Sequence, residues 1–287
     1  MDQEVRISAI GASIAISGPD APTYLHSQLT QDVQGMELDE SKRALLLEPN
    51  GHLVASLEIT RVAPESFEIV ADARVAAIVV ARLAKFLIRT KATIAPVQPL
   101  DLVFAPRRPD RSLAWLAAKR FYWVPAEQSD PGPSDIAAWD ALRARYFSPV
   151  VGIDIQDGSL PNSLGDLANY ASFTKGCYTG QELVERVDSR KAVAPRRLYG
   201  FGSNGAVLMG GASLFNTEKQ IATITNVSAS LGDLAPGVIA ALDLGTGLGA
   251  SSQLGFALVS RGASLADVAS AGDQITSSRK VSLVELN

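Results

Sequence analysis

The only cysteine of the 287-residue chain lies in the run Lys175-Gly176-Cys177-Tyr178-Thr179-Gly180-Gln181-Glu182. A lone cysteine most often packs as a small buried hydrophobe. The neighbours here are Lys, Gly, Tyr, Thr, Gly, Gln and Glu, a poor sequence for a core. Thr179 and Glu182 have the T-x-x-E spacing of a capping box, in which a hydroxyl caps one free N–H and a carboxylate reaches back to the cap amide. With Leu183, Val184 and Val187 following, the spacing predicts a short helix opening at Thr179. Cys177 then sits just before that helix, near the positive end of its dipole, where a thiolate is favoured. The chemistry expected is that of a presented, reactive thiol.

Basic residues gather around it. Lys175, Arg186, Arg190, Lys191, Arg196 and Arg197 outnumber Glu182, Glu185 and Asp188 in a chain whose net charge is −4. Two readings stay open. The segment is either a solvated face or an anion site beside the thiol, since guanidinium forks pair with carboxylates and phosphates. No aromatic residues interleave with these arginines, so RNA is a possible but not a favoured partner.

The octapeptide, with Arg186 four residues beyond Glu182 and Pro195-Arg196-Arg197 further on, resembles the motif of the YgfZ-type folate-binding proteins. These are relatives of the glycine-cleavage T-protein, an aminomethyltransferase. The resemblance continues in Ile16-Ser17-Gly18-Pro19-Asp20-Ala21 with Leu25, Gln28, Leu29, Thr30, Asp32 and Val33, and again in Gln220 to Thr225; residues 96–135 match little. It implies an α+β, T-protein-like fold: two helix-on-antiparallel-sheet layers plus a C-terminal antiparallel β-barrel around a central cleft. It also implies tetrahydrofolate or a derivative as ligand, and support of iron–sulfur cluster assembly or repair, hence of iron–sulfur-dependent tRNA modification. Iron–sulfur enzymes or assembly factors become the expected partners. Cys177 becomes the functional thiol, and Lys175, Gly176, Tyr178, Gln181, Glu182, Arg186, Gln28 and Arg196 the ligand-binding set. Lys175 and Arg186 are expected to depress the thiol's pKa.

One departure bears on activity. The T-protein carries a catalytic aspartate in a Gly-Gly-Ile-x-Asp-Asp-like hairpin strand, and the corresponding stretch here, Asn50 to Ser56, ends in Ala55-Ser56. Without that carboxylate nothing evident steers proton transfer on a folate nitrogen. A glutamate that holds the pterin in the wider superfamily, expected near Leu142 to Arg145, is also missing. An aminomethyltransferase-like enzyme is therefore an alternative rather than the leading reading. A scaffold that docks a protein or tRNA through the basic 186–197 face is another.

The elements that must position these residues follow from patterning. With 47% hydrophobic and 20% charged residues the chain can bury a substantial core. One cysteine rules out an internal disulfide, and two histidines disfavour a protein-only zinc site. The opening Met1-Asp2-Gln3-Glu4 is acidic where a leader is basic, and no apolar run is long enough to span a bilayer; a cytoplasmic monomer without membrane contact is expected. Residues 5–16 alternate as a strand broken in two at Gly11. Ser17 or Asp20 caps a helix carrying Tyr24, Leu25 and Leu29. Residues 43–61 form a hairpin, 67–71 a strand, and 74–89 an amphipathic helix with Val75, Ile78, Val79, Leu83, Phe86 and Leu87 inward. A helix over 135–146, capped by Ser134, carries Trp139 as a core anchor. Beyond 197, short β-prone runs without an amphipathic helix predict the barrel. The division expected is 1–195, with subdomains of about 1–95 and 96–195, and 196–287, the boundary falling near Pro195. Gly245 to Ala250 fits G-x-G-x-x-A, but no helix pattern opens there, and a glycine-rich turn is the better reading.

Overall fold

The computed structural model describes residues 5–115, 120–127, 131–165, 167–190, 192–204, 208–216, 219–243, 248, 250–263, 269–270 and 282–286. The Gly245 to Ala250 run therefore lies largely outside the described residues, as does Lys191.

Antiparallel pairing builds one sheet from the first half of the chain. Its strands are β1 (Val5–Ser17), β2 (Ser41–Leu47), β3 (Leu53–Ala63), β4 (Ser66–Asp72), β5 (Thr93–Ile94), β6 (Gln98–Phe104), β7 (Leu113–Trp115) and β8 (Phe121–Pro125). They run in the order β2-β3-β4-β1-β6-β8-β7, with β5 also paired to β1. Strands from both sides of residue 95 thus share one sheet. The expected break at Gly11 does not occur. β1 continues through it because a register shift against β6, between Ile7 and Gly11, absorbs the irregularity while both flanks keep their ladders.

Period-two alternation sorts this sheet into two faces. Ile14, Ile16, Ala55, Leu57, Ile59, Phe67, Ile69 and Ala71 pack against α1 (Ala21–Gln28) and α2 (Ala76–Phe86) in one core. The helices are shorter than expected, and Ile78 faces solvent rather than the core. Asp20 precedes α1 without capping it: its Oδ2 accepts the Lys91 N–H at 2.7 Å, tying the helix start to the chain leaving α2.

The opposite face meets α3 (Pro133–Arg145). Here the cap is not Ser134. Asp135 reaches back to the Gly132 N–H at 3.1 Å, and Pro133, with its fixed φ, occupies the first turn. A helix α4 (Gln181–Ser189) follows. The C-terminal strands β9 (Arg196–Asn204), β10 (Ser213–Asn216), β11 (Lys219–Val227), β12 (Gln253–Ser260), β13 (Ala269–Ser270) and β14 (Ser282–Leu286) form a second antiparallel sheet, ordered β13-β10-β11-β12-β9-β14. A short helix α5 (Pro236–Ala241), too brief to show periodicity in sequence, packs Val238 and Ala241 into the main core. No helix among the described residues is long and apolar enough to cross a membrane.

The two sheets meet at Arg143 of α3, which is fully buried. Its guanidinium donates to Asp154 and Asp140 and lies 4.0 Å from Asp72 at the end of β4. It also sits 5.8 Å from the ring centroids of Trp139 and of Phe256 on β12. The second Asp154 oxygen accepts Asn226 Nδ2 of β11 at 3.0 Å. Burial alone would lower the Arg143 pKa, but the three aspartates raise it, so the group stays a cation. Arg143→Met keeps the bulk and strands the aspartates. It should destabilise the protein by about 3–5 kcal/mol, read as a shifted denaturant midpoint.

Candidate functional site

The Cys177 segment is bolted to the rest of the molecule at two points. Lys175 sends its ammonium into the end of α1, donating to the carbonyls of His26 at 2.5 Å, Leu29 at 2.8 Å and Gln31 at 2.8 Å. Burial lowers its pKa to about 8, partly offset by Asp32. The second point is a glycine-to-glycine approach. Gly180, at φ +83°, leaves no room for a Cβ, which would stand 2.7 Å from the Glu48 carbonyl and 2.9 Å from the Gly51 Cα. Between these anchors Cys177 is exposed to solvent.

The local geometry departs from the expected capping box. α4 begins at Gln181 with Gly180 as its N-cap and no side-chain cap bond. Thr179 instead turns to α1, its N–H and hydroxyl both directed at the Ser27 carbonyl (2.9 and 3.4 Å). Tertiary bonds to a neighbouring helix end have replaced the local ones. Gln181 takes over part of the capping role, its Oε1 accepting the Tyr178 N–H at 3.1 Å. Tyr178 is buried beneath the loop, its hydroxyl pushed up to about 12 by desolvation and by Glu185. Gly176 is exposed and faces His26, whose Nδ1 lies 3.3 Å from Asp32. Burial and Lys175 lower the His26 pKa, so this imidazole is neutral near pH 7.

The remaining expected residues scatter. Glu182 and Arg186 are exposed along α4, bordering a shallow depression with Phe173 and Arg190. Gln28 is buried at the end of α1. Its Oε1 accepts Arg82 Nη1 at 3.4 Å, and Arg82 in turn donates to the Leu47 carbonyl at 2.6 Å. Arg196 lies elsewhere, at the rim of a cleft of about 340 Å³ with Asp154 and Thr225.

A second locus was not anticipated. The face of the first sheet turned toward α3 carries polar residues at alternating positions: Ser56 and Glu58 on β3, Glu68 and Asp72 on β4. Ser56, Glu58 and Asp72 line an inner cavity of about 40 Å³ with Arg43, Tyr170, Trp123, Trp139 and Pro149. That holds about three waters. Ser56 is committed structurally, its hydroxyl donating to the Pro149 carbonyl at 2.7 Å, while Ala55 packs into the opposite core. Asp72 is saturated by Arg74 (2.8 and 2.7 Å) and by the Trp139 indole (2.8 Å), and these partners, with Arg143, overcome burial to lower its pKa.

Two other wall groups are not satisfied. The Arg43 guanidinium stands beside Tyr170, yet neither its Nη2 nor the buried Tyr170 hydroxyl meets a partner in hydrogen-bonding geometry. Buried polar atoms without partners are rare and mark places where a ligand or water belongs. Glu58 completes the wall. Burial pushes its pKa up to about 7, against the pull of Arg43 at 3.8 Å and the Trp123 indole at 3.4 Å. Trp123 also lines an outer cleft of about 830 Å³ with Ser13, Glu68, Gln98, Arg108 and Arg111. One signal could have found Glu58: it is the lone charged residue of the stretch Leu53 to Ile59. Among the described residues no cluster of three or more His, Cys, Asp or Glu side chains is placed to hold a metal ion.

No family model matches the chain. Over 216 residues it is 28% identical to the tRNA-modifying protein YgfZ of Edwardsiella ictaluri, a match covering 62% of this chain and 65% of that protein. The YgfZ of Cronobacter sakazakii is also 28% identical, over 219 residues, 63% of this chain and 66% of its own length. That of Blochmanniella pennsylvanica is 19% identical over 214 residues. The chain thus matches just under two thirds of the length of these curated relatives. Among solved structures, the glycine cleavage system aminomethyltransferase T from Bartonella henselae superposes with a TM-score of 0.71, covering 98% of this chain and 83% of that one at 18% identity. The resemblance to YgfZ-type proteins read from the Cys177 motif is borne out, and the fold is that of the T-protein.

Lys175→Met should cost about 1–3 kcal/mol, because three part-buried carbonyls lose their donor, and should expose the loop to limited proteolysis before global unfolding. Glu58 makes an opposite prediction. Its folded pKa is raised above the unfolded value of 4.5, so the native state binds the extra proton between pH 4.5 and 7 and loses stability as pH rises through that window. Glu58→Gln should therefore gain on the order of 2 kcal/mol over wild type at pH 8, a difference that vanishes near pH 4.5 in urea titrations.

Proposed function

We propose that this chain binds a reduced folate on the α3-facing side of its first sheet and supports the assembly or repair of iron–sulfur enzymes, including those of tRNA modification, through the Cys177 thiol. The observation that carries the ligand half is the inner cavity, a polar pocket in a T-protein fold where the Tyr170 hydroxyl and Arg43 Nη2 stand together without a well-formed hydrogen bond. A pterin offers the acceptors and donors that such a wall needs, and the outer cleft lies within the range of about 300–1,000 Å³ expected for small-molecule sites. For the thiol half, support comes from exposure of the unique cysteine on a loop clamped by Lys175 and Gly180. A reactive thiol needs access and a fixed approach direction, and the two clamps supply the second. The similarity to tRNA-modifying YgfZ proteins points the same way.

On this reading Lys175 acts as a clamp and Gln181 orients the loop through the Tyr178 N–H. Arg186 and Glu182 stand on the open side, available to a partner protein. A second reading is favoured by one observation. Glu58 is a carboxylate that titrates near neutrality on the cavity wall, so a one-carbon transferase could use it where Ala55-Ser56 supply no acid. Methylenetetrahydrofolate formed from an aminomethyl donor, detected by mass spectrometry and lost in Glu58→Gln, would select the enzyme.

Calorimetric titration of the purified chain with tetrahydrofolate should give one saturable site, unchanged in Cys177→Ala. In a strain lacking its own copy, Cys177→Ala should fold normally yet fail to restore iron–sulfur enzyme activity. Full rescue by that variant would remove the thiol from the mechanism.

A further inference from the structure

The inner cavity and the outer cleft share a wall. On β4, Glu68 borders the outer cleft while Val70 and Asp72 border the inner cavity, alternate positions on one face. Glu68 and Asp72 lie about 13 Å apart along the strand. A single side chain, Trp123 of β8, lines both spaces. Its ring lies against Gly11, where a Cβ would come within 2.6 Å of it, and edge-on to Trp139 at 5.3 Å. The inner cavity alone, at about 40 Å³, is too small for a bicyclic ring.

Glu58 is the underused group on this wall. Asp72 is saturated and Ser56 is tied to Pro149, whereas Glu58 has only two long contacts, the Trp123 indole at 3.4 Å and Arg43 at 3.8 Å. A carboxylate with one oxygen facing an aromatic N–H is arranged to receive a stronger donor in its place. A paired N–H edge, as in the aminopyrimidinone half of a pterin, binds a carboxylate through two parallel hydrogen bonds.

We propose that Glu58 is the acid that reads the head of the ligand. Trp123 yields its position against Glu58 as the ligand enters, joining cavity and cleft into one site for a planar nitrogen heterocycle with a paired N–H edge and an extended tail. The inference rests on the folate reading above and deepens it. Trp123 serves as a stand-in for the ligand: its N–H occupies the acceptor and its ring the stacking surface until displaced. The outer cleft then receives the tail, bordered by Arg108 and Arg111 as well as by Asp39, Glu68 and Asp110. This mixed rim suits a tail with amide and carboxylate groups better than a bare polyanion.

Binding should depend on pH through Glu58. The other ionisable groups on the inner wall are Arg43, Tyr170 and Asp72. Tyr170 is raised by burial. Burial would also raise Asp72, but its cationic and indole partners bring it below the usual range, so neither changes charge between pH 6 and 8. The ionised Glu58 accepts the paired N–H edge and its protonated form does not, so affinity falls as pH drops through about 7.

The test is anaerobic titration of wild type, Glu58→Gln and Trp123→Phe with tetrahydrofolate at pH 6, 7 and 8, followed by calorimetry and tryptophan fluorescence. Glu58→Gln nearly conserves volume, and matched far-ultraviolet dichroism and urea midpoints confirm the fold of both variants. Wild type should weaken about tenfold from pH 8 to pH 6. Glu58→Gln should weaken about 10- to 100-fold at pH 8 and lose the pH dependence. Trp123→Phe, with no N–H to compete, should bind at least as tightly and show a smaller emission change, since Trp115 and Trp139 also line the cavity. If wild type and Glu58→Gln bind equally at every pH, the inference falls and the folate reading stands. If wild type does not bind tetrahydrofolate, the folate reading falls and takes the inference with it.

Discussion

A single buried cation holds the two sheets in register. Arg143 reaches from α3 to Asp154 and Asp72, so one side chain touches the helix, the end of β4 and the 150–154 turn at once. The turn is bonded onward to β11 through Asn226, and Phe256 of β12 lies against the guanidinium. Removing ions from water is expensive, and a buried cluster of this kind adds little net stability compared with a well-packed apolar replacement. What it supplies is geometry. Asp72 and Trp139, which meet in this network, are also walls of the inner cavity, so the cavity's shape is set by the same charges that join the sheets.

That arrangement explains why polar residues survive in the middle of the molecule. Strand alternation gives each residue of β3 and β4 one of two environments. One face meets α1 and α2 and is mostly apolar. The other holds Ser56, Glu58, Glu68 and Asp72, each satisfied to a different degree. Ser56 is locked to the backbone, Asp72 is saturated, and Glu58 is left with long contacts. The gradient of satisfaction, more than the presence of the acids, picks out where a ligand can gain binding energy, since only an unsatisfied group improves on contact.

The Cys177 loop obeys a different logic. Its position is dictated from outside by the end of α1 and the β2–β3 turn, to which Lys175, Thr179 and Gly180 are each attached. A capping box is a local device that forms when nothing better is offered. Here Thr179 finds the Ser27 carbonyl, and the helix starts two residues later than its spacing alone suggests. Arg196 and Gln28 were grouped with the thiol through the family resemblance, and the fold gives each side chain other neighbours. Arg196 borders another cleft, and Gln28 turns down toward Arg82.

From its residues alone, the chain determined the strands and helices whose apolar periodicity is strong, the antiparallel character of both halves, and the exposure of a cysteine set among polar neighbours. Each of these depends on residues close together in sequence, where spacing maps directly onto geometry. The inner cavity could not be read that way. Arg43 and Glu58 oppose each other across the β2–β3 hairpin, but Trp123 and Tyr170 come from distant segments, and nothing local says that they complete the same wall. Only tertiary packing decided which acids would be saturated and which left wanting, because satisfaction is a property of partners brought from afar.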